Sequence, residues 1–98
     1  MEKFEVNMAE NLFEAVLKLE TKEDCAKFFE DVCTIKELQD LSQRLEVAAL
    51  LRAGKNYREV SEKTGASTAT ISRVNKCLLY GRGGYDSVLE PQEKENEV

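Results

Sequence analysis

The chain has 98 residues, of which 42% are hydrophobic and 34% charged, and its net charge is −5. This length and composition are typical of one small globular domain and exclude a two-domain enzyme with a deep cleft. No apolar run approaches the roughly 20 residues that a membrane span requires, and the N-terminus is too acidic for a signal peptide, so we expect a cytoplasmic protein with no membrane partner.

The N-terminal third predicts two helices with broad apolar faces. Apolar residues recur every three or four positions over Met8–Leu19, which is the helical period. Thr21 is the expected N-cap of a second helix, which carries Phe28 and Phe29. A small all-α chain can hardly enclose such wide faces alone, so we expect residues 1–33 to be dimerisation helices that pack between two copies of the chain. A compact monomer is the alternative.

Residues 34–54 predict a third and longest helix. Thr34 and Glu37 have the spacing of a capping box, and Gly54 stands where a left-handed residue ends a helix. The apolar stripe of this helix consists of Ile35, Leu38, Leu41, Leu45, Ala48 and Leu51.

Residues 57–80 predict two short helices joined by a tight turn. Asn56 and Glu59 again have capping-box spacing, and Ser67 or Thr68 is expected to cap the second helix. Gly65 can adopt the positive φ that the turn requires.

Three apolar residues are spaced to hold these two short helices together at a steep angle. They are Val60 before the glycine and Ile71 and Val74 after it. This pattern is that of a DNA-binding helix-turn-helix, whose second helix enters the major groove. An ordinary helical corner with a solvated basic face would show the same spacing.

The chain ends with breaker residues and an acidic stretch. Three glycines within residues 81–84 end the last helix, and residues 91–98 are expected to be a disordered acidic tail. No segment predicts a strand. We therefore expect one all-α domain over residues 1–90.

The net charge conceals a segregation along the chain. Residues 41–85 contain 3 acids and 8 bases, a net charge of +5, whereas residues 1–40 carry −6 and residues 86–98 carry −4. A basic block between two acidic ones indicates a polyanion site on one part of the molecule. A solvated basic face is the alternative explanation.

Catalytic and metal sites have little support. The chain has no His and no Gly-rich phosphate loop, which argues against an enzyme. Its cysteines, Cys25, Cys33 and Cys77, lack CxxC spacing, so we expect free, mostly buried thiols and no metal or other cofactor.

Short segments of residues 40–85 match a known family. They are Gln43-Arg44-Leu45, Leu50-Leu51-Arg52, Arg58-Glu59-Val60, Gly65-Ala66, Ala69-Thr70-Ile71-Ser72-Arg73 and the sequence YGRGGY at 80–85. With these segments, residues 40–79 resemble the C-terminal part of the Trp repressor family, and the YGRGGY sequence resembles its YerC/YecD-type, TrpR-related branch. The resemblance implies an intertwined, all-helical homodimer that regulates transcription, for example as a repressor. Each helix-turn-helix would recognise half of a palindromic operator in double-stranded DNA.

The resemblance also assigns roles in DNA binding. Arg58 matches an arginine that reaches a guanine, and Ser61 stands where the family has a residue that contacts phosphate. Thr68, Ala69 and Ser72 align with positions that face the groove. The full expected DNA-binding set is Arg58, Ser67, Thr68, Ala69, Thr70, Ser72, Arg73 and Lys76.

The family's tryptophan site is altered in this chain. Arg44 and Arg73 match the two arginines that enclose the indole and bind the carboxylate. Val74 replaces the glycine that leaves room for the indole, and Cys77 replaces a serine that receives the ligand's polar end. We therefore expect no tryptophan dependence, and a different small-molecule effector or none. Phosphate contacts, or an ion pair with an acid such as Glu46, are the alternative roles of the two arginines.

A protein-interaction module with the same helical shape is the second functional hypothesis. The acidic N-terminal half and the negative net charge favour it. The two hypotheses differ in salt response, because DNA affinity falls steeply with salt whereas a packed protein interface is little affected.

Overall fold

The computed structural model describes residues 6–90, and every regular element in that range is helical. The all-α prediction is confirmed. The predicted acidic tail, residues 91–98, lies outside the described residues. The elements are a 3-10 helix (Val6–Ala9), α1 (Glu10–Val16), α2 (Lys22–Val32), α3 (Ile35–Arg52), α4 (Tyr57–Thr64) and α5 (Thr68–Tyr80).

The chain divides into two compact units that meet between Leu38 and Gln39. The first contains α1 and α2, and the second contains α4 and α5. The boundary lies within α3, near its N-terminal end. The prediction that residues 1–90 form one domain stays a prediction.

Local capping sets the start of α2 and of α3. The Asp24 amide donates to the Thr21 hydroxyl at 3.0 Å, and the Asp24 carboxylate accepts from the Thr21 amide. Thr34 and Glu37 form the same reciprocal pair at 3.0 and 2.9 Å. Both predicted caps are confirmed, because each supplies partners for amides that the first helical turn leaves unpaired.

The end of α3 is a Schellman motif. The Gly54 amide donates to the Leu51 carbonyl and the Lys55 amide to the Leu50 carbonyl, both at 3.0 Å, with Gly54 at φ 93°. The predicted end of this helix is therefore confirmed. The first helix, by contrast, is shorter than its apolar pattern predicts. It ends at Val16, and the last bonds tighten to a three-residue spacing, such as that from the Leu19 amide to the Val16 carbonyl.

The first unit has no buried side chain in α1 or α2. Met8 is 79% exposed and Leu17 is 82% exposed, although both are apolar. Helical propensity alone seldom stabilises helices this short, and most of their stability comes from packing of the apolar face. These faces therefore need a further surface to bury them.

The second unit contains the hydrophobic core. Its fully buried residues come from α3, α4, the turn after α4, and α5: Val47, Ala48, Val60, Ala66, Ile71 and Val74. Partly buried residues complete it, namely Leu50, Leu51, Leu78, Tyr85 and Leu89.

The apolar stripe of α3 is covered only in part. Ala48 is buried, whereas Ile35, Leu41 and Leu45, nearer the N-terminus of the helix, are exposed.

The three cysteines are free, but the prediction that they are mostly buried is wrong. Cys25 and Cys77 are exposed and Cys33 is half-buried. Cys25 lies on α2, which buries none of its residues, and Cys77 lies on the outward side of α5.

The helices within residues 6–90 include none with the length and apolar character of a membrane span.

Candidate nucleic-acid interface

The turn between α4 and α5 is held by a closed set of hydrogen bonds. Gly65 has φ 76°, and its amide donates to the Ser61 carbonyl at 2.8 Å. The Ser61 hydroxyl donates to the Ala66 carbonyl at 3.0 Å, and the Ala66 amide donates to the Thr64 hydroxyl at 3.1 Å. Only glycine adopts this φ without strain, so the predicted role of Gly65 is confirmed. Ser61, which the resemblance aligned with a phosphate contact, uses its hydroxyl inside the turn.

The core attaches this turn to α3. Val60, Ile71 and Val74 are at most 1% exposed, which confirms the prediction that they hold α4 and α5 together. The side chain of Gln43 on α3 donates to the carbonyl of Thr64, the last residue of α4, at 3.1 Å. Since the inner face of α5 is fixed by packing, its outer face is presented in a fixed orientation.

The N-terminus of α5 is capped by Ser67, which decides between the two predicted caps. Its hydroxyl accepts from the Thr70 amide at 3.1 Å. Thr70 is half-buried, and its hydroxyl lies 3.2 Å from that of Ser67, so its side chain belongs to the cap. The remaining members of the expected DNA-binding set are all exposed: Arg58, Ser67, Thr68, Ala69, Ser72, Arg73 and Lys76.

The exposed surface of α4 and α5 carries several basic residues, and the ion pair of Arg58 is weak. Arg58 lies 3.4 Å from Glu62 one helical turn later, and both side chains are largely exposed. Exposed pairs of this spacing contribute only about 0.3–0.5 kcal/mol, so Arg58 can exchange this partner for another acceptor. Lys63, Arg73 and Lys76 are also exposed.

The four residues of the altered tryptophan site lie in different environments. Arg44 is half-buried on α3, Val74 is buried in the core, and Arg73 and Cys77 are exposed on α5. Val74 and Cys77 lie three residues apart on α5, the first inside the core and the second at the surface. Within residues 6–90, Arg44 has no ion pair with Glu46.

Sequence reasoning missed the contacts beyond α5. Arg52 forms an ion pair with Asp86, and Tyr85 and Leu89 pack on the core. The four-residue spacing of Tyr85 and Leu89 was a usable signal for one apolar face. The pairing of Arg52 with Asp86 had none, since 34 residues separate them.

Comparison with known proteins is consistent with this geometry. The family model described as Trp repressor protein matches residues 7–93. The protein YerC of Bacillus subtilis is 51% identical over 89 residues, which are 91% of this chain and 85% of that protein. A solved structure of a TrpR-like protein from Eubacterium eligens is 55% identical with a TM-score of 0.81, covering 86% of this chain and 87% of that one. A solved structure of a protein from Staphylococcus aureus is 44% identical and has the same TM-score. The match covers 86% of this chain and 84% of that one.

Proposed function

The chain belongs to the Trp repressor family, and from this premise we propose that it is a sequence-specific DNA-binding regulator of transcription. In this proposal α4 and α5 form a helix-turn-helix, and α5 is the recognition helix that enters the major groove.

The observation that carries this proposal is the division of α5 into two faces. Ile71 and Val74 are buried against α3 and α4, whereas the opposite face presents short polar and basic side chains. Short side chains let the helix approach base edges closely, and the basic ones neutralise phosphates. A helix with a fixed inner face and such an outer face suits the groove of DNA better than a protein partner, which favours apolar and aromatic contacts.

The exposed residues divide into two groups by chemistry. Arg58 has the guanidinium fork that binds guanine at two atoms, and Thr68, Ala69 and Ser72 are short enough to contact neighbouring bases. Arg73 and Lys76 are assigned to phosphate, where charge matters more than shape. Ser67 contributes its position at the helix N-terminus, whose amides favour an anion.

The exposed apolar surface supports a homodimer. No residue of α1 or α2 is buried, and α3 before Val47 is exposed at Ile35, Leu41 and Leu45. A second copy of the chain presents the same faces and is the partner that the family suggests. Two recognition helices related by a two-fold axis would bind two half-sites of a palindromic operator.

Tryptophan is not the ligand in this proposal. Val74 fills core space that a glycine would leave empty, and Cys77 is a poor hydrogen-bond partner for a polar ligand. Filling that space also holds α5 against α3 without a ligand, so we propose DNA binding that needs no tryptophan.

Selection of bound sequences from a pool of random duplex DNA tests the proposal. The purified protein should enrich one motif with two inverted half-sites. Enrichment of no motif, together with affinity that barely changes between 50 and 200 mM salt for every duplex, would instead favour the protein-interaction module.

A further inference from the structure

The segment that follows α5 folds back onto the core. The Ser87 amide donates to the Gly83 carbonyl at 3.1 Å, and the Leu89 amide donates to the Tyr85 carbonyl at 3.0 Å. The Ser87 hydroxyl donates to the Gly84 carbonyl at 2.7 Å. These turns place Tyr85 and Leu89 against the hydrophobic core. We call residues 81–90 the C-terminal cover.

Arg52 fastens the C-terminal cover to the end of α3. Its guanidinium forms an ion pair with Asp86 and donates to the Glu90 carbonyl at 3.3 Å. The Arg52 side chain is 19% exposed and that of Asp86 is 60% exposed, so Arg52 is the enclosed partner. The guanidinium fork makes two bonds at once, which a lysine ammonium group on a flexible stem matches poorly.

The C-terminal cover packs on the same core as the inner face of α5. Ile71 and Val74 enter this core from α5, and Tyr85 and Leu89 enter it from the cover. At the other end of the α4–α5 pair, Gln43 bonds the Thr64 carbonyl. Residues of α3 thus hold the chain both before and after the recognition helix.

We propose that Arg52 and Asp86 are positioning residues for DNA recognition. Neither contacts DNA; their ion pair keeps the C-terminal cover on the core, and the cover keeps α5 in one orientation. A recognition site must hold its groups to within about 0.5 Å, so a loosened α5 loses base contacts even when every contacting side chain is present. This inference rests on the proposed function.

The substitution Asp86→Asn tests the positioning role, because charge and positioning predict opposite changes in the affinity for DNA. Removal of a carboxylate from the protein should, by charge alone, raise its affinity for a polyanion. Loss of positioning should lower the affinity for the selected duplex by roughly five- to 150-fold, the loss of about one base contact, and leave the affinity for a scrambled duplex nearly unchanged.

Glu90→Gln is the matched control. It removes the same charge four residues later and keeps the backbone carbonyl that Arg52 contacts. We expect its affinity for both duplexes to equal or slightly exceed that of the parent chain.

Arg52→Met supplies the second arm. It keeps an apolar stem of similar length and removes the guanidinium. The Arg52→Met/Asp86→Asn double variant should lose no more affinity than Arg52→Met alone, because both substitutions remove the same ion pair. The slope of log affinity against log salt should stay that of the parent chain, whereas loss of a phosphate contact would reduce it by about 1.

Circular dichroism checks that each variant is folded. If Asp86→Asn loses helix content, Arg52→Lys takes its place in the test. Lysine keeps the positive charge but reaches one acceptor, so a smaller loss of specific affinity is expected.

Three results would each overturn the positioning role: equal affinities of Asp86→Asn and Glu90→Gln, additive losses in the double variant, or a reduced salt slope in Arg52→Met. A parent chain that selects no DNA sequence would refute the proposed function, and this inference with it.

Discussion

Replacement of Arg58 by alanine separates base recognition from general attraction to DNA. Arg58 lies in the first turn of α4, and its side chain is 86% exposed. We expect Arg58→Ala to weaken binding to the selected operator by about 1–3 kcal/mol, which is roughly five- to 150-fold, as loss of a two-atom guanine contact does. Preference should relax at one base pair in each half-site.

The structure predicts a small effect of this substitution on folding. Arg58 contacts Glu62 at 3.4 Å in an exposed pair, and such a pair contributes at most about 0.5 kcal/mol to stability. Alanine is a good helix former, which offsets part of that loss. A large loss of affinity with a nearly unchanged melting temperature would therefore report on recognition and not on folding.

Fluorescence anisotropy with the selected duplex and with a scrambled duplex measures both affinities. Glu62→Gln is the matched control, because it frees Arg58 from its partner and should leave binding unchanged or slightly tighter. If Arg58→Ala lowered the affinity for both duplexes equally and reduced the slope of log affinity against log salt by about 1, base recognition by Arg58 would be refuted. Arg58 would then be a phosphate contact.

Three further predictions concern the turn, the ligand and the assembly. Gly65→Ala should cost about 1–2 kcal/mol, because its φ of 76° strains any other residue although nothing lies within 4 Å of the new Cβ. Gly81→Ala should cost more, since its Cβ would lie 2.5 Å from the Cys77 carbonyl oxygen; thermal melts that rank the two the other way would contradict this. Calorimetric titration with L-tryptophan should show no saturable heat at micromolar ligand, whereas saturation with a parallel rise in operator affinity would refute the closed site. Sedimentation at micromolar concentration should give twice the chain mass of 11.1 kDa. A single species with the mass of one chain would contradict the dimer.

Local chemistry allowed most of the helix boundaries to be predicted. Thr21, Thr34 and Asn56 each cap a helix as their spacing with an acid three residues later indicates. Gly65 takes the left-handed conformation because the tight turn requires a positive φ, which glycine adopts without strain. These features depend on neighbours within a few residues, so a sequence shows them directly.

Features that depend on distant parts of the chain could not be predicted in the same way. The apolar pattern of α3 is continuous, yet Ala48 is buried and Ile35 is exposed, because burial depends on which surface is present to cover each half. The pair of Arg52 and Asp86 depends on how residues 81–90 fold back, which no local spacing shows. At the candidate interface, the charge pattern predicted the exposure of the basic residues. It did not predict that the Thr70 side chain takes part in the helix cap.

The most direct test of base recognition by the outer face of α5 is the ratio of affinities for the selected duplex and for a scrambled duplex of equal length and composition. Measured at physiological salt, the ratio should be about 10³ or more, as for other specific DNA-binding proteins. It should fall when Thr68 or Ser72 is replaced by a bulky residue, since both are exposed on that face. A ratio near 1 that these substitutions leave unchanged would contradict the assignment of this face to DNA recognition.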